Sequence, residues 1–367
     1  MHPFNRSTPA RATTVLAAAT LLVAGGLAEA GAAQARVAPR TVVAGGLVSP
    51  LTAGVRANGT AYISENFAGL LAKQRPGHKP RVVYHAPKGV EVGGVTAGAR
   101  TVTFTLTKGA GPEAPATQSL VMHLRGGKAT RFANTGRFER NVNPDAGVTY
   151  GFRDVRKRCL AKVPKRIPAH YTGVVDTHPY STAVAGSTTY VGDAAGNDIL
   201  RIGPSGHIKS IKVLPPVGLR VTAKRAKLNE LPRCTIGHKY FFEPVPTDVE
   251  VDGSGDLVVT TLTGATEVPG FGGQSRVYTL HPNGSGLTMV ASHLAGAVGV
   301  AIAGKGSYLV SQLNADQVSR VDAGTGAVSR YRKVHQPAAV ERVGGKVYVT
   351  AGVLAQKPVG RLLRFGG

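Results

Sequence analysis

Seven side chains in this sequence could hold a divalent cation or relay a proton. They are Asp176, His178, Asp193, Asn197 and Asp248, with Glu65 and Asn66 beside them. Each falls at the start of a short apolar stretch or just after the second of two such stretches. Carboxylate and amide oxygens are hard ligands, and a cation they held could polarise a carbonyl for attack by water. The same residue types also cap turns by bonding to nearby backbone. No two acidic residues stand at metal-ligand spacing within one stretch, and a single histidine more often satisfies a loop than binds a metal. Asp252-Gly253-Ser254-Gly255-Asp256 looks like the start of a calcium loop, but the place where an EF-hand carries its glutamate is Thr263. The segment aligns instead with a hairpin turn. No HExxH, GxSxG, P-loop or dinucleotide fingerprint occurs, and no residue is assigned a catalytic role.

A second set of residues is basic. Arg153, Arg156, Lys157, Arg158, Lys162, Lys165 and Arg166 form one run, and Arg220, Lys224, Arg225, Lys227, Arg233 and Lys239 form another. The whole chain carries a formal charge of +24, which remains +23 once Arg6, Arg11 and Glu29 of the first 35 residues are taken off. A surplus of that size attracts polyanions, although charge runs are also common on plain solvated surfaces. Arg156, Lys157, Arg158, Lys224 and Arg225 are the residues expected to meet a polyanion.

Residues 1–35 have the pattern of a secretory leader. Arg6 and Arg11 precede an apolar stretch from Thr13 to Leu27, and Ala28-Glu29-Ala30 and Ala33-Gln34-Ala35 follow as small-residue cleavage sites. The stretch falls short of the roughly 20 residues of a membrane span. No cysteine follows it to take a lipid. The expected product is an exported, extracellular bacterial protein without a membrane span. Cys159 and Cys234 are the only two cysteines, and outside the cell two cysteines are expected to pair.

The elements that must position these residues repeat along the chain. A short apolar strand turns through glycine into a second strand often marked by tyrosine. The copies are Leu51–Ser64, Gly94–Thr105, Ser181–Gly192, Thr247–Thr260, Val298–Ser311 and Ala338–Thr350, with Tyr62, Tyr190, Tyr308 and Tyr348 at one shared place. A third strand, a glycine turn and a fourth strand follow each copy. Four antiparallel strands repeated six times predict an all-β chain, a six-bladed β-propeller spanning residues 36–367. A blade buries its faces only against neighbouring blades. The strand Arg40–Ala44 is expected to pair near Gly360–Phe365 and close the ring.

Two insertions, about 134–177 and 215–244, break the period. Both replace the crossover between successive blades and flank the third one, so they emerge on one face of the ring. One holds Cys159 and the other Cys234, which makes that pair a plausible disulfide.

Several blocks resemble the ScyD/ScyE family of exported β-propeller proteins. They are Asn143-Pro144-Asp145, Tyr150-Gly151-Phe152, Cys159, Asp176-Thr177-His178-Pro179-Tyr180, the run Gly192–Asp198, Cys234, and the run Phe242–Val251. The resemblance spans about Val42 to Arg364. It implies a propeller fold and no established reaction. The family's usual proline-and-glycine hairpin turn is replaced here by Arg56-Ala57-Asn58-Gly59 and Val251-Asp252-Gly253-Ser254.

Two functions are carried forward. The first is a monomeric, non-enzymatic binding scaffold that engages an anionic cell-envelope polymer or an extracellular protein through the inserted face, with no cofactor. The second is a metal-dependent lactonase-type hydrolase with its site in the central channel, using Ca2+ or another divalent metal whose ligands the sequence leaves open; Asp176, His178, Asp193, Asn197 and Asp248 are the residues expected to bind a ligand at the channel mouth.

Overall fold

The computed structural model describes residues 40–109, 115–265, 268–304 and 306–366. The secretory leader expected at residues 1–35 lies outside them. The described chain is almost entirely β, arranged as seven four-stranded antiparallel sheets.

Six sheets follow the repeat. Sheet I contains Ala53–Val55, Ala61–Glu65, Leu70–Gln74 and Arg81–His85. Sheet II contains Val90–Ala97, Val102–Lys108, Gln118–Arg125 and Lys128–Ala133. Sheet III contains Pro179–Ala185, Thr188–Asp193, Asp198–Ile202 and Ile208–Val213. Sheet IV contains Pro246–Val251, Leu257–Thr261, Ser275–Leu280 and Thr288–Leu294. Sheet V contains Ala297–Gly304, Ser307–Gln312, Gln317–Asp322 and Val328–Lys333. Sheet VI contains Val340–Val343, Lys346–Ala351 and Gly360–Gly366. Its fourth strand is Thr41–Leu47, from the other end of the chain, which pairs from Thr41 opposite Arg364 to Leu47 opposite Gly360. The first strands of these six sheets abut one another in chain order, and that of sheet VI returns to that of sheet I. The ring is therefore closed by the strand that the sequence assigned to the task.

The conserved-looking place of the tyrosines is a packing position. Tyr62, Tyr190, Tyr308 and Tyr348 are all buried, each in a cluster shared with an adjacent sheet. This is where a large side chain with a polar tip fills the wedge between two twisted sheets. The first strands of sheets II to V each carry a register shift near the channel, at Gly93/Val95, Pro179/Ser181, Pro246/Asp248 and Ala297/Gly299. Such bulges bend a strand and re-aim the side chains beside them.

The seventh sheet corrects the sequence reading. Six sheets were expected, with 134–177 and 215–244 as crossover loops. The two insertions instead pair with each other. Their strands lie in the order His170–Thr172, Thr149–Phe152, Lys239–Phe242, Val217–Arg220. The middle pair joins Gly151 to Phe241 and Phe152 to Tyr240. This inserted sheet packs Phe152, Tyr240 and Phe242 with Val163, Val221, Ala226 and Leu231, and against Ala265 and Phe271 from the loop between the second and third strands of sheet IV. A disulfide joins Cys159 to Cys234, with Cα atoms 6.1 Å apart. It ties the short helix Lys157–Leu160 to the turn Arg233–Thr235.

Candidate functional site

The residues expected to form one constellation divide into three. Asp176, Asp193 and Asn197 meet at the junction of sheet III and the inserted sheet. Asp193 is buried, and Thr177 Oγ1 donates to its Oδ2, while His178 N at 2.7 Å and Gly196 N at 3.1 Å donate to its Oδ1. Asp176 Oδ1 accepts from Ala116 N and Thr177 N, both at 2.8 Å. Asn197 has a left-handed backbone, φ 57°, which asparagine tolerates. Its Nδ2 donates to Asp145 Oδ2 at 3.0 Å, and its Oδ1 accepts from Val245 N at 3.3 Å. Tyr150 donates its hydroxyl to the same Asp145 oxygen at 2.9 Å. These carboxylates are spent on backbone and side-chain donors that join the insertion to the ring.

His178 forms the second part. Its Nε2 lies 3.2 Å from Glu91 Oε2 of sheet II, and Asn66 Nδ2 of sheet I donates to the same oxygen at 3.3 Å. Glu65 is occupied elsewhere, accepting from Val48 N at 2.8 Å.

Asp248 belongs to the third part, the central channel. Its Oδ1 accepts from Val249 N at 2.9 Å and its Oδ2 from Val300 N at 2.8 Å. With Glu250 and Glu341 it lines a cavity of about 20 Å³, room for one or two water molecules. Burial drives the Asp248 carboxyl up to about 7. Burial also pushes Glu250 well above the usual carboxylate range, helped by the facing charges of Glu341 and Asp248. Both glutamates are half-buried and line the cavity, where little water can reach them.

These five residues do not come together at one point. Among the described residues no three His, Cys, Asp or Glu side chains converge on a point that could hold a metal ion. The reason is local: Asp176, Asp193, Asn197 and Asp248 each already accept a backbone N–H, and His178 Nε2 faces Glu91.

Sequence reasoning missed the buried acids around this junction. Glu139, on the helix Thr135–Val142, is 2% exposed. Burial and then Asp193, Asp145 and Asp176 push its carboxyl up to about 8. Asp198, opposite Asp193 in the sheet and 1% exposed, is raised well above the ordinary range by burial and by Asp193. Neither of its oxygens has a hydrogen-bond partner. Glu243, raised by burial, accepts from the Tyr171 hydroxyl at 3.1 Å. A usable signal existed for the acids of the inner strands: Glu91, Glu250 and Glu341 each stand between two valines or beside one in the first strand of a sheet.

The basic residues are gathered as the topology required. The segments 149–172 and 217–242 carry 13 lysines and arginines against only Asp154 and Glu230. Those two acids are already engaged, Asp154 with His238 at 3.1 Å and Glu230 with Arg166 at 3.0 Å. Arg156, Lys157 and Arg158 flank Cys159. Lys224 and Arg225 lie on the helix Ala223–Leu228, which contacts the turn holding Cys234. Arg225 departs from the expected role. Its guanidinium lies over Phe271, 4.5 Å from the ring centre, with Nε on Gly270 O and Nη1 on Arg220 O.

No known protein-family model matches this chain, and no curated protein matches it in sequence. Solved structures do match in shape. A Bacteroides thetaiotaomicron protein of unknown function is 11% identical, with a TM-score of 0.56 over 89% of this chain and 75% of that one. The PQQ-bound aldose sugar dehydrogenase of Streptomyces coelicolor is 14% identical, with a TM-score of 0.52 over 89% and 98%. A glucose dehydrogenase is 12% identical, with a TM-score of 0.53 over 90% and 99%. The chain is a β-propeller. At such identities the likeness is one of fold, and it carries neither their chemistry nor the ScyD/ScyE name to this β-propeller. Among the described residues no helix is long and apolar enough to cross a membrane.

Proposed function

We propose that this β-propeller is an exported binding scaffold that captures an anionic extracellular polymer on its inserted sheet. One observation carries the reading: 13 basic residues against two acids on a sheet that is cross-linked and hydrogen-bonded to the ring. A rigid mount keeps like charges close despite their repulsion, and that arrangement gains most when an anion arrives. The disulfide fits an oxidising compartment. The residues that resemble the ScyD/ScyE family, among them Asp145, Tyr150, Cys159, Asp193, Asn197 and Cys234, are those that build this mount, so the resemblance is one of shared architecture. Binding to a phosphate polymer should weaken linearly in log affinity as log salt rises. Replacing Arg156, Lys157, Arg158 and Lys224 by Ser should flatten that slope. Replacing Arg100, Lys128, Arg342 and Lys346, exposed on turns of sheets II and VI, should do much less. Equal losses from both sets would refute a dedicated face.

A metal-assisted hydrolase is the second reading: Asp248, Glu250 and Glu341 line one channel cavity, although they do not converge as a ready-made metal set. Metal analysis of protein purified from defined medium tests it. Stoichiometric divalent metal lost on replacing Glu250 and Glu341 by Gln would support it.

A further inference from the structure

The inserted sheet presents two faces. Tyr240 and Phe242 point into its core, so by strand alternation Lys239 and Phe241 share the opposite face. The cross-strand partner of Phe241 is Gly218. A Cβ at residue 218 would lie 2.7 Å from the Phe241 ring, so the ring lies down over bare backbone instead of standing up from the sheet. The Arg153 guanidinium lies over this ring, 3.8 Å from its centre. Arg153 is exposed, and the Thr149 carbonyl accepts from its Nε at 3.0 Å and its Nη2 at 2.5 Å. Backbone, phenyl ring and guanidinium are thus layered in that order, with the cation outermost and fixed from below. Arg220 and Lys239 face each other one step further along the same face, and Arg220 Nη1 is held by Gly237 O at 2.8 Å.

We infer that this face stacks unpaired nucleic-acid bases on the layered Phe241 and Arg153, so that the captured polyanion is single-stranded nucleic acid. The inference rests on the reading of the inserted sheet as a polyanion-binding face. A planar guanidinium held in place presents a flat surface that every base can stack on, and the cost of ordering it has already been met in the fold. The surrounding Arg220, Lys239 and the mobile lysines of the two runs suit the phosphates between bases. Polymers with no aromatic ring would meet the same cations but have nothing to lay on the stack.

Binding of a labelled oligodeoxythymidylate of about twenty residues tests this, compared with polyphosphate and with duplex DNA at equal charge and salt. The single strand should bind about tenfold more tightly than either. Arg153→Lys keeps the charge and removes the plane, and Phe241→Leu removes the ring beneath it. Each should weaken the single strand about five- to tenfold while leaving polyphosphate binding unchanged. Melting curves of both variants confirm that the inserted sheet remains folded. Equal affinity for all three polymers, or variants that weaken all alike or none, would overturn base stacking and leave the electrostatic face standing. Absence of binding to any polyanion at low salt would overturn both.

Discussion

Asn197 donates to Asp145 across 3.0 Å and so fastens the turn between two strands of sheet III to the chain that enters the inserted sheet. Asn197 also accepts from Val245 N, where the second insertion rejoins the ring. One amide therefore touches both ends of the insertion. Asn197→Ala should cost roughly 2–4 kcal/mol, from two lost bonds and a left-handed backbone that alanine disfavours. Hydrogen exchange should localise the loss to residues 149–172 and 217–242. Uniform loosening of all sheets would show that the contact is not local.

The disulfide closes a loop of 75 residues. On the chain-entropy model that stabilises by about 4 kcal/mol. Replacing Cys159 and Cys234 together by Ser should lower the melting temperature and expose 153–166 to protease before the ring. Simultaneous cleavage in the ring would mean that the inserted sheet is not a separate cooperative unit.

Ring closure invites a harsher test. Thr41–Leu47 supplies the outermost strand of sheet VI and buries Ala44 and Leu47. Deleting residues 40–46 leaves the edge at Gly360–Gly366 unpaired, which favours aggregation. Light scattering on heating should rise many degrees earlier than in the intact chain. Unchanged melting would show that three strands suffice.

The repeat was legible because each hairpin is local: a turn such as Asn58-Gly59 lies beside the strands it joins. The closing strand was legible because it precedes the first hairpin and the last repeat lacks a fourth strand. The inserted sheet was not. Its central strands, Thr149–Phe152 and Lys239–Phe242, are four residues each and lie far apart in the chain, so no turn announces their pairing. Gly151, at φ 76°, also breaks the alternation that would mark its strand. Their shared face of the ring and the two cysteines hinted that these segments meet, but not that they pair as strands. At the candidate site the sequence shows the residue types but not the partners that decide their roles. Asp176, Asp193 and Asp248 look alike as ligands or as caps until the N–H groups they accept are known.

Asp198 offers a sharper test of the buried acids. Its carboxyl is enclosed and no hydrogen bond of good geometry reaches either oxygen, so Ser210 offsets the burial only in part. A buried carboxylate in that state is costly, so the proton stays on. Asp198→Asn replaces it with a neutral group of the same shape. At pH 8 the variant should melt at or above the wild-type temperature, against the usual outcome for a core substitution. A marked loss would mean that the charge itself is used, for instance by a bound cation.

Glu139 sets the pH dependence of the mount. Its carboxyl sits at about 8 in the folded protein against about 4.5 when unfolded, because burial and then Asp193, Asp145 and Asp176 oppose its charge. The folded state therefore holds a proton that the unfolded state has released between those two values. Stability from this group is fully present below about 4.5, declines as pH rises, and is lost by about 8. Asp198 acts in the same direction. The melting temperature of the inserted sheet should fall across that window in the wild type. Glu139→Gln retains an acceptor for the Asp176 backbone and removes the titration, so its fall should be smaller. The difference between the two curves isolates Glu139 from the other acids. Parallel curves from pH 5 to 8 would mean that Glu139 ionises freely and that its neighbours do not restrain it.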